Sequence, residues 1–189
     1  MATEKERAAE GELYDVNDME LHEERVRCKK LYRRYNSLPP EEREERDVLL
    51  RRMLGQVGRD PIVESPFYCD YGYNIEAGDY FYANVNCVIL DGARVRFGHH
   101  VFVGPGCGFY TATHPLDVET RNRGLEQALP ITVGNDVWIG GGCTLLPGVT
   151  IGDGTVIGAG SVVTRDIPAG VVAVGNPCRV IKKLNNDER

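Results

Sequence analysis

The sequence predicts a mainly β protein in which very short parallel strands wind into a three-sided solenoid, capped in front by helices. Three observations carry this. Aliphatic residues recur every six positions at Val133, Ile139, Leu145, Ile151, Ile157 and Val163. Glycine follows at Gly134, Gly140, Gly152 and Gly158, and a small or branched residue stands two places before each aliphatic: Ile131, Val137, Cys143, Val149, Thr155 and Ser161. Residues 1–58 lack this period altogether.

A helix repeats its apolar face every 3.6 residues and an ordinary strand alternates for several residues before turning, so neither yields a strict six. Six suits a two- or three-residue strand followed by a tight corner. Three such units close one coil, with the aliphatic inside and glycine easing the corner. Stacked at the usual strand spacing of about 4.8 Å, each coil pairs with its neighbours in a one-dimensional array. Phe97, Val103 and Phe109 share the phase, while Ile75, Phe81 and Cys87 hold another; the repeat breaks at Asp91-Gly92-Ala93-Arg94.

In front of the solenoid, Asn17-x-x-Glu20 reads as a capping box that opens a helix. Cys28, Leu31, Tyr32 and Tyr35 then fall on one helical face. Pro39-Pro40 interrupts, and a second helix is expected from about Glu41 to Leu54, with Leu49, Leu50, Met53 and Leu54 inward and Gly55 ending it. The division expected is a helical cap over 1–58 and a solenoid domain with its tail over 59–189.

Net charge is −6 and the sequence pI is about 5.3. No basic stretch is interleaved with aromatics, which argues against nucleic acid as a partner. No apolar run is long enough to span a bilayer, and Met1–Arg7 is charged where a signal peptide would be apolar, so a cytoplasmic protein without membrane contact is expected. The six cysteines are scattered and form no C-x-x-C pair, so they read as small buried hydrophobes.

The repeat stops at Tyr110 and resumes at Ile131, leaving an inserted loop over 112–130. A solenoid extrudes such a loop from one corner without disturbing its core, and long loops in compact domains usually carry function. Its opening, Tyr110-Thr111-Ala112-Thr113-His114-Pro115, resembles the active-site loop of the maltose and galactoside O-acetyltransferases, which belong to the hexapeptide-repeat acyltransferases. Gly11-Glu12-Leu13-Tyr14, the run Cys69 to Ile75, Phe81-Tyr82-Ala83-Asn84, the run Asn135 to Gly141 and Gly175-Asn176-Pro177-Cys178-Arg179 are similar too. Cys69-Asp70 and the Thr-Ala-Thr-His-Pro string place the resemblance on the maltose branch.

The resemblance implies a left-handed parallel β-helix and transfer of acetyl from acetyl-CoA to a sugar hydroxyl. It implies a homotrimer with active sites between subunits, and acetyl-CoA as co-substrate without a metal. His114 takes the place of the catalytic base. Imidazole, with an ordinary pKa near 6.5, can accept the hydroxyl proton during attack and return it to the leaving thiolate, an effect worth about 10² to 10⁴ in rate. Gly141 matches the backbone N–H donor to the oxyanion. Acceptor positions fall on Asp70 and Asn84, with Asp91 near a further one; Glu126 is expected to orient His114 or bind sugar. Tyr14, Asp15 and Asp18 are the N-terminal candidates for a sugar contact, against the plainer role of a helix N-cap. Coenzyme A positions fall on Trp138, Gly141, Ala159, Thr164, Arg165, Arg179 and Lys182, where small residues admit the pantetheine arm and basic ones suit phosphate. His22, His99 and His100 read as surface histidines.

Three other readings compete. A prism-type zinc carbonic anhydrase needs three metal-binding histidines at a spacing that is absent here. A scaffold without chemistry would keep the prism but has no use for the His114 loop. Acyl transfer to a different acceptor, such as a galactoside, a lipo-oligosaccharide or an amine, remains the nearest alternative.

Overall fold

A computed structural model describes residues 2–184; 185–189, the end of the tail, lie outside the described residues. The chain forms the left-handed parallel β-helix expected of it, a stack of three-sided coils behind a helical front. The first face stacks Gln56–Val57, Ile75–Ala77, Val95–Phe97, Ile131–Val133 and Thr150–Ile151. The second stacks Ile62–Val63, Tyr82–Ala83, Phe102–Val103, Trp138–Ile139, Val156–Ile157 and Val171–Val174, and Arg179–Lys183 closes it as an antiparallel edge. The third stacks Phe67–Cys69, Cys87–Leu90, Gly108–Tyr110, Thr144–Leu145 and Val162–Val163.

Every six-residue aliphatic is buried in the prism, as is every residue two places before it. Each coil thus sends two side chains inward from each face, and that row of apolar contacts is the core. Phe81, Phe97 and Phe109 pack on one another within it. The two runs fill different inward positions: Ala77, Ala83 and Ile89 pair with Phe97, Val103 and Phe109, so Ile75, Phe81 and Cys87 stand two places before the aliphatic position. Val133 pairs with Ile151, eighteen residues on, whereas Ile75 pairs with Val95, twenty on. The two extra residues belong to the enlarged corner around Asp91–Arg94, which shifts the phase without breaking the stack.

Glycine has a different role from the one expected. Gly134, Gly140, Gly152 and Gly158 do not carry the left-handed backbone; Gly142, Gly148, Gly154 and Gly160 do. The first set is required by coil stacking: a Cβ on Gly140 would stand 2.6 Å from Ala159 N, and one on Gly152 would stand 2.4 Å from Ala169 N. The second set makes the turn.

The front is formed by α1 (Glu4–Ala9), α2 (Met19–Ser37) and α3 (Arg43–Met53). Helix α1 is an addition to the expected cap; Thr3 and Glu6 close a reciprocal capping box that the sequence displays. Helix α2 is capped by Asp18, whose carboxylate accepts from Leu21 N at 3.1 Å, so the Asn17 box is corrected by one residue. Cys28 and Tyr35 on α2 are buried against the prism, and Leu49, Leu50 and Met53 seat α3. Gly55 is no left-handed cap; a Cβ there would lie 2.1 Å from Tyr73 O, so the chain needs glycine to enter the first coil. That coil begins at Gln56, within the expected helical segment 1–58. All six cysteines are buried and free. Among the described residues, no helix is long and apolar enough to cross a membrane.

Candidate active site

The inserted loop leaves the prism at the corner between the third and first faces. It runs as a strand at Ala112–Thr113, then α4 (Val118–Asn122, capped by Asp117), then a strand at Leu125–Ala128 that folds back antiparallel on the first. A third strand, Tyr14–Asp15, pairs with the other edge, setting Tyr14 opposite Glu126. The segment ahead of α2 is therefore stitched to the loop. Gln127 Nε2 adds a hydrogen bond to Gly11 O at 2.7 Å.

His114 follows the first loop strand with its ring largely exposed. Its Nδ1 lies 3.4 Å from Leu125 O, and its Nε2 lies 3.7 Å from the mostly buried Glu126 carboxylate. An Nδ1–H aimed at that carbonyl leaves the Nε2 lone pair open to solvent and to a substrate proton. The other Glu126 oxygen accepts from the Tyr14 hydroxyl. Burial, reinforced by Glu126, keeps that phenol protonated far above its ordinary range. Asp70 lies close enough for Glu126 to act on it: burial and then the Glu126 charge raise its carboxyl above the usual range, against Arg25 and Lys29. Arg25 on α2 donates to the Tyr71 hydroxyl at 2.6 Å and to Val16 O at 2.7 Å. His114, Glu126, Asp70 and Tyr14 thus gather at one corner.

Three of the residues expected at the sugar have protein partners in the structure. Tyr14 is only 1% exposed, and its hydroxyl donates to Glu126. Asp18 has its carboxylate in the α2 cap. Asp91 is 0% exposed beneath the surface, holding the Asp70 and Tyr71 N–H groups. Arg25 and Tyr71 carry no role in the sequence reading; a helix residue and a corner residue 46 positions apart meet only through the fold.

The remaining residues lie elsewhere on the prism. Asn84, Gly141 and Ala159 sit at the corner between the second and third faces, lining a groove of about 760 Å³ with Trp138, Phe102 and Pro105. Trp138 is 57% exposed on the second face. A Cβ on Gly141 would approach Pro105 to 3.2 Å, a tight contact that glycine avoids. Thr164 and Arg165 follow Val162–Val163 to the His114 corner, and Arg179 and Lys182 stand on the edge strand of the second face. Within one chain, a full side of the triangle separates His114 from the Gly141 groove.

Residues 7–58 match the maltose acetyltransferase hexapeptide capping motif, and residues 130–165 match the bacterial transferase hexapeptide of six repeats. A maltose O-acetyltransferase from Clostridium difficile has the same fold, with a TM-score of 0.97 and 50% identity over 98% of this chain and 99% of that one. A galactoside acetyltransferase solved in complex with coenzyme A has a TM-score of 0.96 and 43% identity, covering 100% of this chain and 94% of that one. Nodulation protein L of Rhizobium meliloti is 47% identical over 94% of this chain and 97% of its own length. The capping motif, the hexapeptide repeats and the likeness along almost the whole chain leave one conclusion: the chain belongs to the hexapeptide-repeat acetyltransferases of the maltose acetyltransferase type.

Proposed function

We propose that this acetyltransferase moves an acetyl group from acetyl-CoA to a hydroxyl of maltose, glucose or a related saccharide, with His114 as general base. The observation that carries the reading is the His114 ring itself, exposed on the loop with Nδ1 toward Leu125 O and Nε2 beside the Glu126 carboxylate. The hydroxyl proton passes to Nε2 as the oxygen attacks the thioester carbon. The C–S bond then breaks, and the thiolate takes the same proton back from the imidazolium. Glu126, near Nε2, stabilises the transient positive charge. The Gly141 N–H is the donor assigned to the developing oxyanion, a contribution of roughly 10² to 10³ in rate. Asp70 and Asn84 bind the acceptor.

The Gly141–Ala159 groove suits the narrow pantetheine arm, and the coenzyme A complex of the galactoside acetyltransferase supports that use. Thr164, Arg165, Arg179 and Lys182 are the residues for its phosphate end. Since one chain keeps His114 and the groove on different corners, a complete site takes one from each of two copies. A closed C3 homotrimer supplies three such sites. Exposed Phe102 and Trp138 on the second face, and Leu116 at the loop tip, 95% exposed, are apolar surface for that association. We place the enzyme in the cytoplasm, with residues 1–58 as cap and 59–189 as catalytic prism. Transfer to a galactoside is the second reading, favoured by the 43% identity to the galactoside enzyme.

The test is thiol release from acetyl-CoA against a panel of sugars, with wild type and His114→Ala. Release driven by maltose or glucose, lowered about 10²-fold or more in the variant, supports both acceptor and base. No release with any sugar overturns the acceptor class, and a fully active variant overturns the base.

A further inference from the structure

Asp91 lies in the enlarged corner of its coil, fully enclosed, where burial first and then the Asp70 charge oppose its ionisation. One carboxyl oxygen accepts two successive backbone N–H groups, from Asp70 at 3.0 Å and Tyr71 at 2.9 Å. The other oxygen is buried and has no hydrogen-bond partner. The corner is clasped twice more. Asn74 Nδ2 donates to Asp91 O at 2.8 Å, and Thr111, at the root of the His114 loop, accepts from Ala93 N and donates to Leu90 O. A buried carboxyl with one orphan oxygen is a costly way to fill a corner, so its two bonds to the neighbouring coil need a consequence. Two N–H groups converging on one oxygen fix the plane of the peptide between them, and the residue whose direction that plane sets is Asp70.

We propose that Asp91 is a positioning residue for the reaction: its buried carboxyl locks the Asp70–Tyr71 peptide and so aims the Asp70 side chain at the acceptor beside His114. The inference rests on the reading of Asp70 as an acceptor ligand. Asp91 touches no substrate itself; it acts through the backbone of the coil below. The groups that face it are Asp70, Tyr71, Tyr73 and Cys69, and the Asp70 charge together with burial works against its ionisation. An amide oxygen at the same place would hold the two N–H groups equally well.

The experiment is a kinetic cycle on the full-length enzyme with maltose as the probe acceptor, using Asp91→Ala, Asp91→Asn, Asp70→Asn and the pair Asp70→Asn with Asp91→Ala. The expected result is an acceptor KM raised about 10-fold by Asp91→Ala with the acetyl-CoA KM unchanged. Asp91→Asn restores the wild-type KM, and the pair is no worse than Asp70→Asn alone. A raised KM in Asp70→Asn, combined with an additive effect of Asp91→Ala, equal losses toward both substrates, or no rescue by Asp91→Asn, overturns the inference alone. A wild-type acceptor KM in Asp70→Asn overturns the acceptor reading of Asp70 and the inference with it. Should Asp91→Ala fail to fold, Asp91→Ser, too short to hold both N–H groups, takes its place with the same expected split.

Discussion

The Tyr14 hydroxyl donates to the Glu126 carboxylate across 112 positions of sequence, and this bond ties the segment ahead of the first long helix to the loop that bears His114. The same two residues are directly paired across an antiparallel ladder, so side chain and backbone agree on the register. Glu126 therefore meets His114 Nε2 from a fixed place.

Tyr14→Phe keeps the ring in its buried slot and removes only the hydroxyl. Glu126 then loses a partner in a half-closed site, at about 1–3 kcal/mol for a hydrogen bond to a charged group. The expected outcome is a lower melting temperature and a several-fold lower kcat, with the acetyl-CoA KM unchanged. Thermal melts beside steady-state thiol release check it; an unaltered kcat would show that Glu126 holds its place without Tyr14.

Glu126→Gln keeps the shape and removes the charge. The imidazolium that forms on His114 during attack then lacks its nearby carboxylate, and kcat should fall about 10-fold, on the order of 1.4 kcal/mol of transition-state stabilisation. Combined with Tyr14→Phe, the loss should be less than the product of the two, because both act through one carboxylate. Unchanged turnover and acceptor affinity in Glu126→Gln would remove Glu126 from the mechanism.

The six-residue period makes the prism legible because each unit repeats the same inward and corner positions, and His114 stands out because its loop interrupts that period. Tyr14–Glu126, Arg25–Tyr71 and Asp91–Asp70 are illegible for the opposite reason. Each joins residues that no local pattern relates and that meet only when a coil, a helix and a loop converge on one corner. The burial of Asp91 is of the same kind: an aspartate at a solenoid corner reads as solvent-facing, and only the enlarged corner turns it inward. Glycine misleads in a subtler way. In the unit Gly140-Gly141-Gly142, the first and third glycines have different reasons: close stacking at Gly140 and the turn at Gly142.

That difference is measurable at one corner, away from the groove. Gly170 has φ +66 with open space around it, so Gly170→Ala costs only the left-handed backbone, about 1–2 kcal/mol. Gly152→Ala drives a Cβ to within 2.4 Å of Ala169 N and forces two coils apart, so it should lower the melting temperature considerably more. Equal melts for the two variants would refute the assignment of Gly152 to coil stacking.

Asp91 also predicts a pH dependence. Burial, aided by the Asp70 charge, pushes its carboxyl up to about 7, against about 3.9 for a free aspartate. The folded state holds this proton more tightly than the unfolded state does. Its stabilising contribution is thus complete below about pH 4 and is lost as the pH rises to about 7. Asp91→Asn has no such proton to lose. Wild type should therefore lose stability relative to Asp91→Asn between about pH 4 and about pH 7, read as the difference between their melting temperatures. Parallel curves would mean that Asp91 titrates like an exposed carboxylate.

The separation of His114 from the Gly141 groove gives the sharpest test of assembly. His114→Ala removes the base, and Ala159→Trp fills the groove that Ala159 lines. Each variant alone should be inactive, because every site of the proposed trimer would lack one half. Co-expressed, they mix, and a site that draws His114 from one chain and the groove from its neighbour is intact whenever both contributors are the right variant. With random mixing, each contributor is right half the time, so about a quarter of wild-type activity should return. Sites contained within single chains would return none, since no chain carries both intact halves. Thiol release by the co-purified mixture, compared with the two variants mixed only after assembly, separates these cases: activity restricted to the co-expressed sample requires subunits that share their sites.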